Sequence, residues 1–140
     1  MQHVQNRSTT SALVLTAVLI ALATLFTMYT KIPVPGIRGY FNVGDVVIMT
    51  SALLLGRKYG AYIGAIGPAL ADLFLGYAVF VPITFVVKGI EGYLVGTVYN
   101  NKTTTSALVA TIVGGIVIVA GYFIVEYFVF DPGVAIASIV

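Results

Sequence analysis

A chain of 140 residues that is 59% hydrophobic and only 9% charged cannot keep its surface in water, because a soluble domain is about 25% charged. The formal net charge of +2 is small and scattered, which argues against a nucleic-acid partner, and the absence of cysteine excludes disulfide and thiol chemistry. The one histidine, His3, stands in a polar tail, so no span carries a histidine for metal binding or catalysis.

The apolar runs are continuous rather than alternating, so they predict a helical membrane protein and not a barrel. Residues 1–10 are polar and carry Arg7. Residues 11–29 are predicted as the first span, close to the roughly 20 residues a bilayer requires. This run is too long for the core of a cleaved signal peptide, and no small-residue cleavage site follows it. Ala17 and Ala21 lie four apart on it and make a small-xxx-small face, suited either to internal packing or to docking another subunit.

Residues 31–42, KIPVPGIRGYFN, break the helix through Pro33, Pro35, Gly36 and Gly39. With Arg38, Tyr40, Phe41 and Asn42 this stretch reads either as a lid over a ligand or as an interfacial loop anchored at the headgroups. Residues 43–56 form a short second span, with Asp45 in the first turn, where a carboxylate favours the helix dipole. Residues 59–76 form a third span rich in Gly and Ala, interrupted by Pro68 and ending near Asp72, whose expected partner is Lys88 or Arg38.

Residues 82–99 are the fourth span and hold the most informative pair in the chain, Lys88 and Glu91. Three residues apart on a helix, these two side chains share a face. Either would cost about 2.5–3.5 kcal/mol facing lipid, so they are expected to face a protein interior or a water-filled cavity. Residues 106–128 are the fifth span, with Tyr122 and Glu126 four apart on one face. Residues 134–140 read as the opening turns of a sixth span, here truncated.

The basic residues set an orientation. A cytoplasmic N-terminus puts Arg7, Arg57, Lys58 and Lys102 inside and leaves Lys31 and Arg38 outside. Lys88, Glu91, Asp72 and Glu126 then converge on the outer half of the bundle, beneath the loop at residues 31–42. This suits an outward-facing pocket for a polar small molecule and not a proton wire through the full depth.

The run PVPGIRGYFNVGDVVIMTSALLLGRKYGAYIGAIGPALADLFLGY, followed by PITFVVKGIEG, resembles the substrate-binding S component of energy-coupling factor (ECF) vitamin transporters, in the riboflavin-type group. The resemblance covers about residues 11–140 and does not single out a substrate. It implies an all-α membrane protein, a bundle of six transmembrane helices forming a single domain over residues 1–140. It further implies a subunit of a prokaryotic plasma-membrane importer that captures a water-soluble vitamin or precursor: riboflavin, a hydroxymethylpyrimidine or other thiamine-related compound, or pantothenate.

By the same resemblance the partners are a transmembrane coupling subunit and two ATPases. Ala17 and Ala21 match the docking pair, and residues 31–42 match the lid. Lys88, Glu91, Tyr93, Tyr122 and Glu126 map onto the substrate-binding positions, with Arg38, Tyr40 and Asn42 above them. Aromatic rings near these positions (Tyr40, Phe41, Tyr77, Tyr93, Tyr122) are suited to stacking on a heterocycle and equally to anchoring at a membrane interface. No cofactor is called for. No GxxxxGK[ST] run occurs, so ATP hydrolysis is expected on partner subunits, and no recognisable catalytic spacing marks the chain as an enzyme. The alternative is an accessory membrane protein without a ligand, in which Lys88 and Glu91 only neutralise one another.

Overall fold

The computed structural model describes residues 9–33, 40–125 and 127–128. Among them five helices follow in order: α1 (Thr9–Tyr29), α2 (Val43–Leu55), α3 (Arg57–Phe74), α4 (Val81–Val98) and α5 (Thr104–Val125). They coincide with the first five predicted spans. The predicted sixth, at residues 134–140, lies outside the described residues, so the helix count stands at five for the part described. Helices α1, α4 and α5 are each long and apolar enough to cross a membrane, and α2 is a shorter apolar helix.

The segment after α1 departs from the irregular loop that its prolines and glycines predict. Strands β1 (Lys31–Pro33) and β2 (Tyr40–Asn42) pair antiparallel, with Lys31 opposite Asn42 and Pro33 opposite Tyr40. Pro33 ends its strand, a position that tolerates a missing N–H. The fold is therefore helical apart from this ribbon. The ribbon runs directly into α2, whose N-cap is Asn42: its Oδ1 accepts the Gly44 N–H at 2.8 Å. At the opposite end of the bundle, α2 and α3 share Gly56 as their boundary. Its φ of 96° lies in the left-handed region that glycine adopts without strain and that turns the chain back on itself.

Helix α3 is the centre of the bundle. It packs against α1, α2 and α4, and α5 adds to the far side of α4, so α1 and α5 lie on opposite flanks. The α3–α4 pairing is the most extensive, and glycine explains it. Gly60 and Gly64 on α3 and Gly92 and Gly96 on α4 are each spaced by four, giving both helices a smooth stripe. A Cβ on Gly92 would lie 2.0 Å from the Gly60 carbonyl oxygen, and one on Gly64 would lie 2.2 Å from the Lys88 carbonyl oxygen. The two backbones touch, and no side chain fits between them.

The flanking helices do the opposite. On α5 only Ala110 and Gly114 are buried, while Leu108, Ile112, Ile116 and Val119 are exposed; on α1 Leu13, Val14, Val18 and Leu25 are exposed. Such surfaces are stable in lipid and not in water, so this is a membrane protein.

The glycine stripe yields a stability test. Gly92→Ala is expected to force α3 and α4 apart and to cost about 1–3 kcal/mol, the usual range for overpacking, read as a lowered midpoint of thermal unfolding in detergent. Gly115→Ala, at a site with nothing within 4 Å of the added Cβ among the described residues, is expected to leave the midpoint unchanged.

Candidate functional site

Polar side chains gather in the half of the bundle nearer the ribbon. Asp45 comes from the first turn of α2, Asp72 from the last turn of α3, Thr84, Lys88 and Glu91 from α4, and Tyr122 from the last turn of α5. Lys88 is the hub. Its ammonium lies 2.5 Å from Asp45 Oδ1 and 3.2 Å from Glu91 Oε2, and 5.9 Å from the centre of the Tyr122 ring. The Asp45 side chain is 21% exposed, that of Lys88 5% and that of Glu91 0%, so the three form a shaft leading from the rim inward.

Glu91 is only loosely held at its base. Its Oε2 makes an ion pair with Lys88 that lacks hydrogen-bond alignment, and its Oε1 has no partner among the described residues. The Glu91 stem packs on the other side towards Gly114 of α5, where a Cβ would come within 3.7 Å of Glu91 Cγ. A second chain of contacts adjoins the first. The Thr84 hydroxyl donates to Asp72 Oδ2 at 2.5 Å, and Tyr122 Oη lies 3.2 Å from Thr84 Oγ1. A hydroxyl has one proton to give, so the Tyr122 hydroxyl is the donor in that second contact. Tyr122 thereby links the Asp72–Thr84 pair to the face of its own ring under Lys88.

Several sequence expectations are corrected by this geometry. The ion-pair partners of Lys88 are Asp45 and Glu91 and not Asp72, which accepts a hydrogen bond from Thr84; the alternative partner expected for Asp72, Arg38, lies outside the described residues. Asp45 does occupy the first turn of α2, but its carboxylate also reaches across to α4, a contact between residues 43 positions apart that no local pattern signals.

Of the expected binding residues, Lys88, Glu91 and Tyr122 come together. Tyr93 does not: it is 42% exposed and its ring lies 5.7 Å from the Arg57 guanidinium carbon, at the end of the bundle away from the ribbon. Residues two apart on a helix point to different sides, so Tyr93 cannot share the face of Glu91. Asn42 is buried at the rim as the α2 cap. The backbone of Tyr40 lies in β2, while Arg38 and Glu126 lie outside the described residues. Ala17 and Ala21 are exposed on α1, bordering the face that buries Thr16, Ala23, Thr24 and Thr27.

The comparison with known proteins bears on what such a cluster is for. The family model described as "ECF-type riboflavin transporter, S component" matches residues 7–140. This chain belongs to that family. It is thus a substrate-binding subunit of a vitamin or vitamin-precursor transporter, and S components are binding subunits rather than enzymes. A Lactococcus lactis protein, the thiamine precursor transporter HmpT, is 33% identical over 126 residues, covering 89% of this chain and 69% of that protein. A Pyrococcus woesei protein described only as an uncharacterized protein in a gap 3′ region is 44% identical over 118 residues, covering 82% of this chain and 78% of that one.

Within this S component the charges depend on each other for burial. Removing one partner of a buried ion pair typically costs about 3–5 kcal/mol. Lys88→Met is therefore expected to lower the unfolding midpoint strongly by leaving Asp45 and Glu91 to repel one another. Adding Glu91→Gln to that variant is expected to restore part of the loss, as read by thermal unfolding of both variants in the same detergent.

Proposed function

We propose that this S component captures a water-soluble vitamin or precursor from outside a prokaryotic cell and hands it to an ECF coupling subunit driven by two ATPases. The observation that carries the reading is the Asp45–Lys88–Glu91 shaft in the ribbon half of the bundle. A membrane protein bears the cost of three buried charges when they face something polar, and Asp45 leaves the shaft partly open at its rim. In this reading the N-terminus is cytoplasmic, because Arg7, Arg57, Lys58 and Lys102 then lie inside, and the ribbon is extracellular. Lys88, Glu91 and Tyr122 contact the substrate, the segment from Lys31 to Asn42 serves as its lid, and Arg38, Tyr40, Asn42 and Glu126 are further substrate-binding residues in this reading. The whole chain acts as one transmembrane domain.

A thiamine precursor is the first substrate to test, on the strength of the relative HmpT, and riboflavin is the second, on the strength of the family description. The test is calorimetry and thermal shift of the purified protein in detergent against riboflavin, hydroxymethylpyrimidine, thiamine and pantothenate. One compound is expected to bind tightly and to raise the unfolding midpoint. A well-folded protein that binds none of them would return the chain to an accessory role.

The exposed Ala17–Ala21 stripe supports a docking role for α1. Small residues let another helix approach closely, and the adjoining buried face of α1 is already occupied by Ala23 and Thr24, whose hydroxyl donates to the Gly67 carbonyl at 3.0 Å. Ala17→Trp is expected to prevent co-purification with the coupling subunit while leaving vitamin binding unchanged; equal loss of both would make the stripe an internal packing surface.

A further inference from the structure

We infer that the turn joining α3 to α4 is sunk into the bilayer, so that lipid acyl chains and not water cover its outward side chains. The inference concerns how the bundle sits in the membrane and holds whether or not the polar cluster captures a vitamin. From Leu73 to Ile83 the chain reads LFLGYAVFVPI, with no charged residue and a single polar side-chain group, the Tyr77 hydroxyl. These side chains are not packed inside: Leu73, Phe74, Tyr77 and Val79 are exposed, Phe74 and Val79 each to 66%. The connections at the other end of the bundle have the opposite chemistry. Between α2 and α3 the chain runs through Gly56 into Arg57 and Lys58, and between α4 and α5 it includes Asn100, Asn101, Lys102 and Thr103. Those are turns made for water, and the α3–α4 turn is not.

Its backbone suits lipid as well. Non-helical backbone is tolerated next to hydrocarbon only where its polar groups are satisfied internally. Here the Leu75 N–H donates to the Ala71 carbonyl, Gly76 to Leu73, Tyr77 to Asp72, Phe80 to Tyr77 and Val81 to Ala78, at 2.8–3.3 Å. Gly76 permits this closure through its φ of 83°. The N–H groups of Ala78 and Val79, at the apex, have no backbone acceptor among the described residues, which sets the apex at the ester layer bordering the hydrocarbon.

Helix length agrees. At about 1.5 Å per residue, the 18 residues of α3 and of α4 each reach about 27 Å, short of the roughly 30 Å of a hydrocarbon core. The flanking α1 and α5, with 21 and 22 residues, reach about 32–33 Å and cross it. With Arg57 and Lys58 held at the headgroups of one face, the end of α3 therefore stops below the other. The apolar surface of the turn also continues into Phe85, Val86 and Ile90, exposed on α4, so one lipid-facing surface runs from the helix over its end. Immersion of the turn closes the Asp72 end of the polar cluster to water and leaves the Asp45 side as its opening.

The chain has no cysteine, so a nitroxide can be attached to one introduced cysteine at a time in the full chain, reconstituted in phosphatidylcholine vesicles. Electron paramagnetic resonance then compares its collisions with dissolved oxygen, which concentrates in lipid, and with a water-soluble nickel chelate. Phe74→Cys and Val79→Cys probe the turn, and Ile116→Cys on the exposed face of α5 and Asn101→Cys in the polar connection supply the lipid and water references. The oxygen-to-nickel collision ratio is expected to exceed one at Phe74, Val79 and Ile116 and to fall below one at Asn101. A ratio below one at Phe74 or Val79 would put the turn in water and overturn the inference. Protection of these sites from both reagents would also overturn it, because protein and not lipid would then cover the turn. Both sites are exposed, so neither label has to displace a packed neighbour, and each reports by itself if the other variant fails to fold.

Discussion

The architecture of this S component depends on the contact between α3 and α4. Gly60, Gly64 and Gly92 remove side chains from the closest approach, so backbone meets backbone at the Gly60 and Lys88 carbonyls. In lipid there is no hydrophobic gain from joining two apolar helices, and close van der Waals packing has to supply the association. The same contact fixes α4 in rotation. With its glycine face against α3, the neighbouring face carrying Lys88 and Glu91 turns towards α2 and α5 and not towards lipid. The ion pair with Asp45 and the approach of Gly114 and Gly121 of α5 to α4 follow from that one rotational choice.

A division of labour between the helices follows. The central helices are tied together by glycine contacts and buried charge, and α1 and α5 present broad apolar flanks with few buried positions. Flanks of that kind can meet lipid or another helix with little change in free energy, which suits a subunit that must both sit in a bilayer and join a partner. The polar groups are concentrated at one end, where the short ribbon enters α2 and caps it through Asn42.

The charged shaft also illustrates a tension between stability and recognition. A structure optimised only for stability would match each buried ammonium with one carboxylate, or use none of these groups. Here Lys88 has two carboxylates, and the more deeply buried of them keeps an oxygen with no partner among the described residues. The Thr84–Asp72 and Thr84–Tyr122 contacts, by contrast, are well aligned and close off the neighbouring polar groups. Among the described residues of this cluster the unsatisfied capacity is thus confined to Glu91, at the junction of α4 with α2 and α5.

The sequence by itself determined the spans and the local pair. A bilayer demands long uninterrupted apolar helices, so five helices and their breaks could be located within a few residues, and the three-residue spacing of Lys88 and Glu91 put both on one face whatever surrounded them. The quoted motif run also carried the family. Tertiary structure alone decided the rest. It brought Asp45 to Lys88 and Thr84 to Asp72 and Tyr122, contacts between elements far apart in the chain, and it paired the ends of the segment after α1 into a ribbon. It also brought Tyr93, which its two-residue spacing already placed on a different side of α4 from Glu91, to Arg57. The reason is geometric: periodicity fixes which residues of one helix share a face, but the rotation of each helix against its neighbours is set by where glycine lets the backbones touch, and that is a property of pairs of helices.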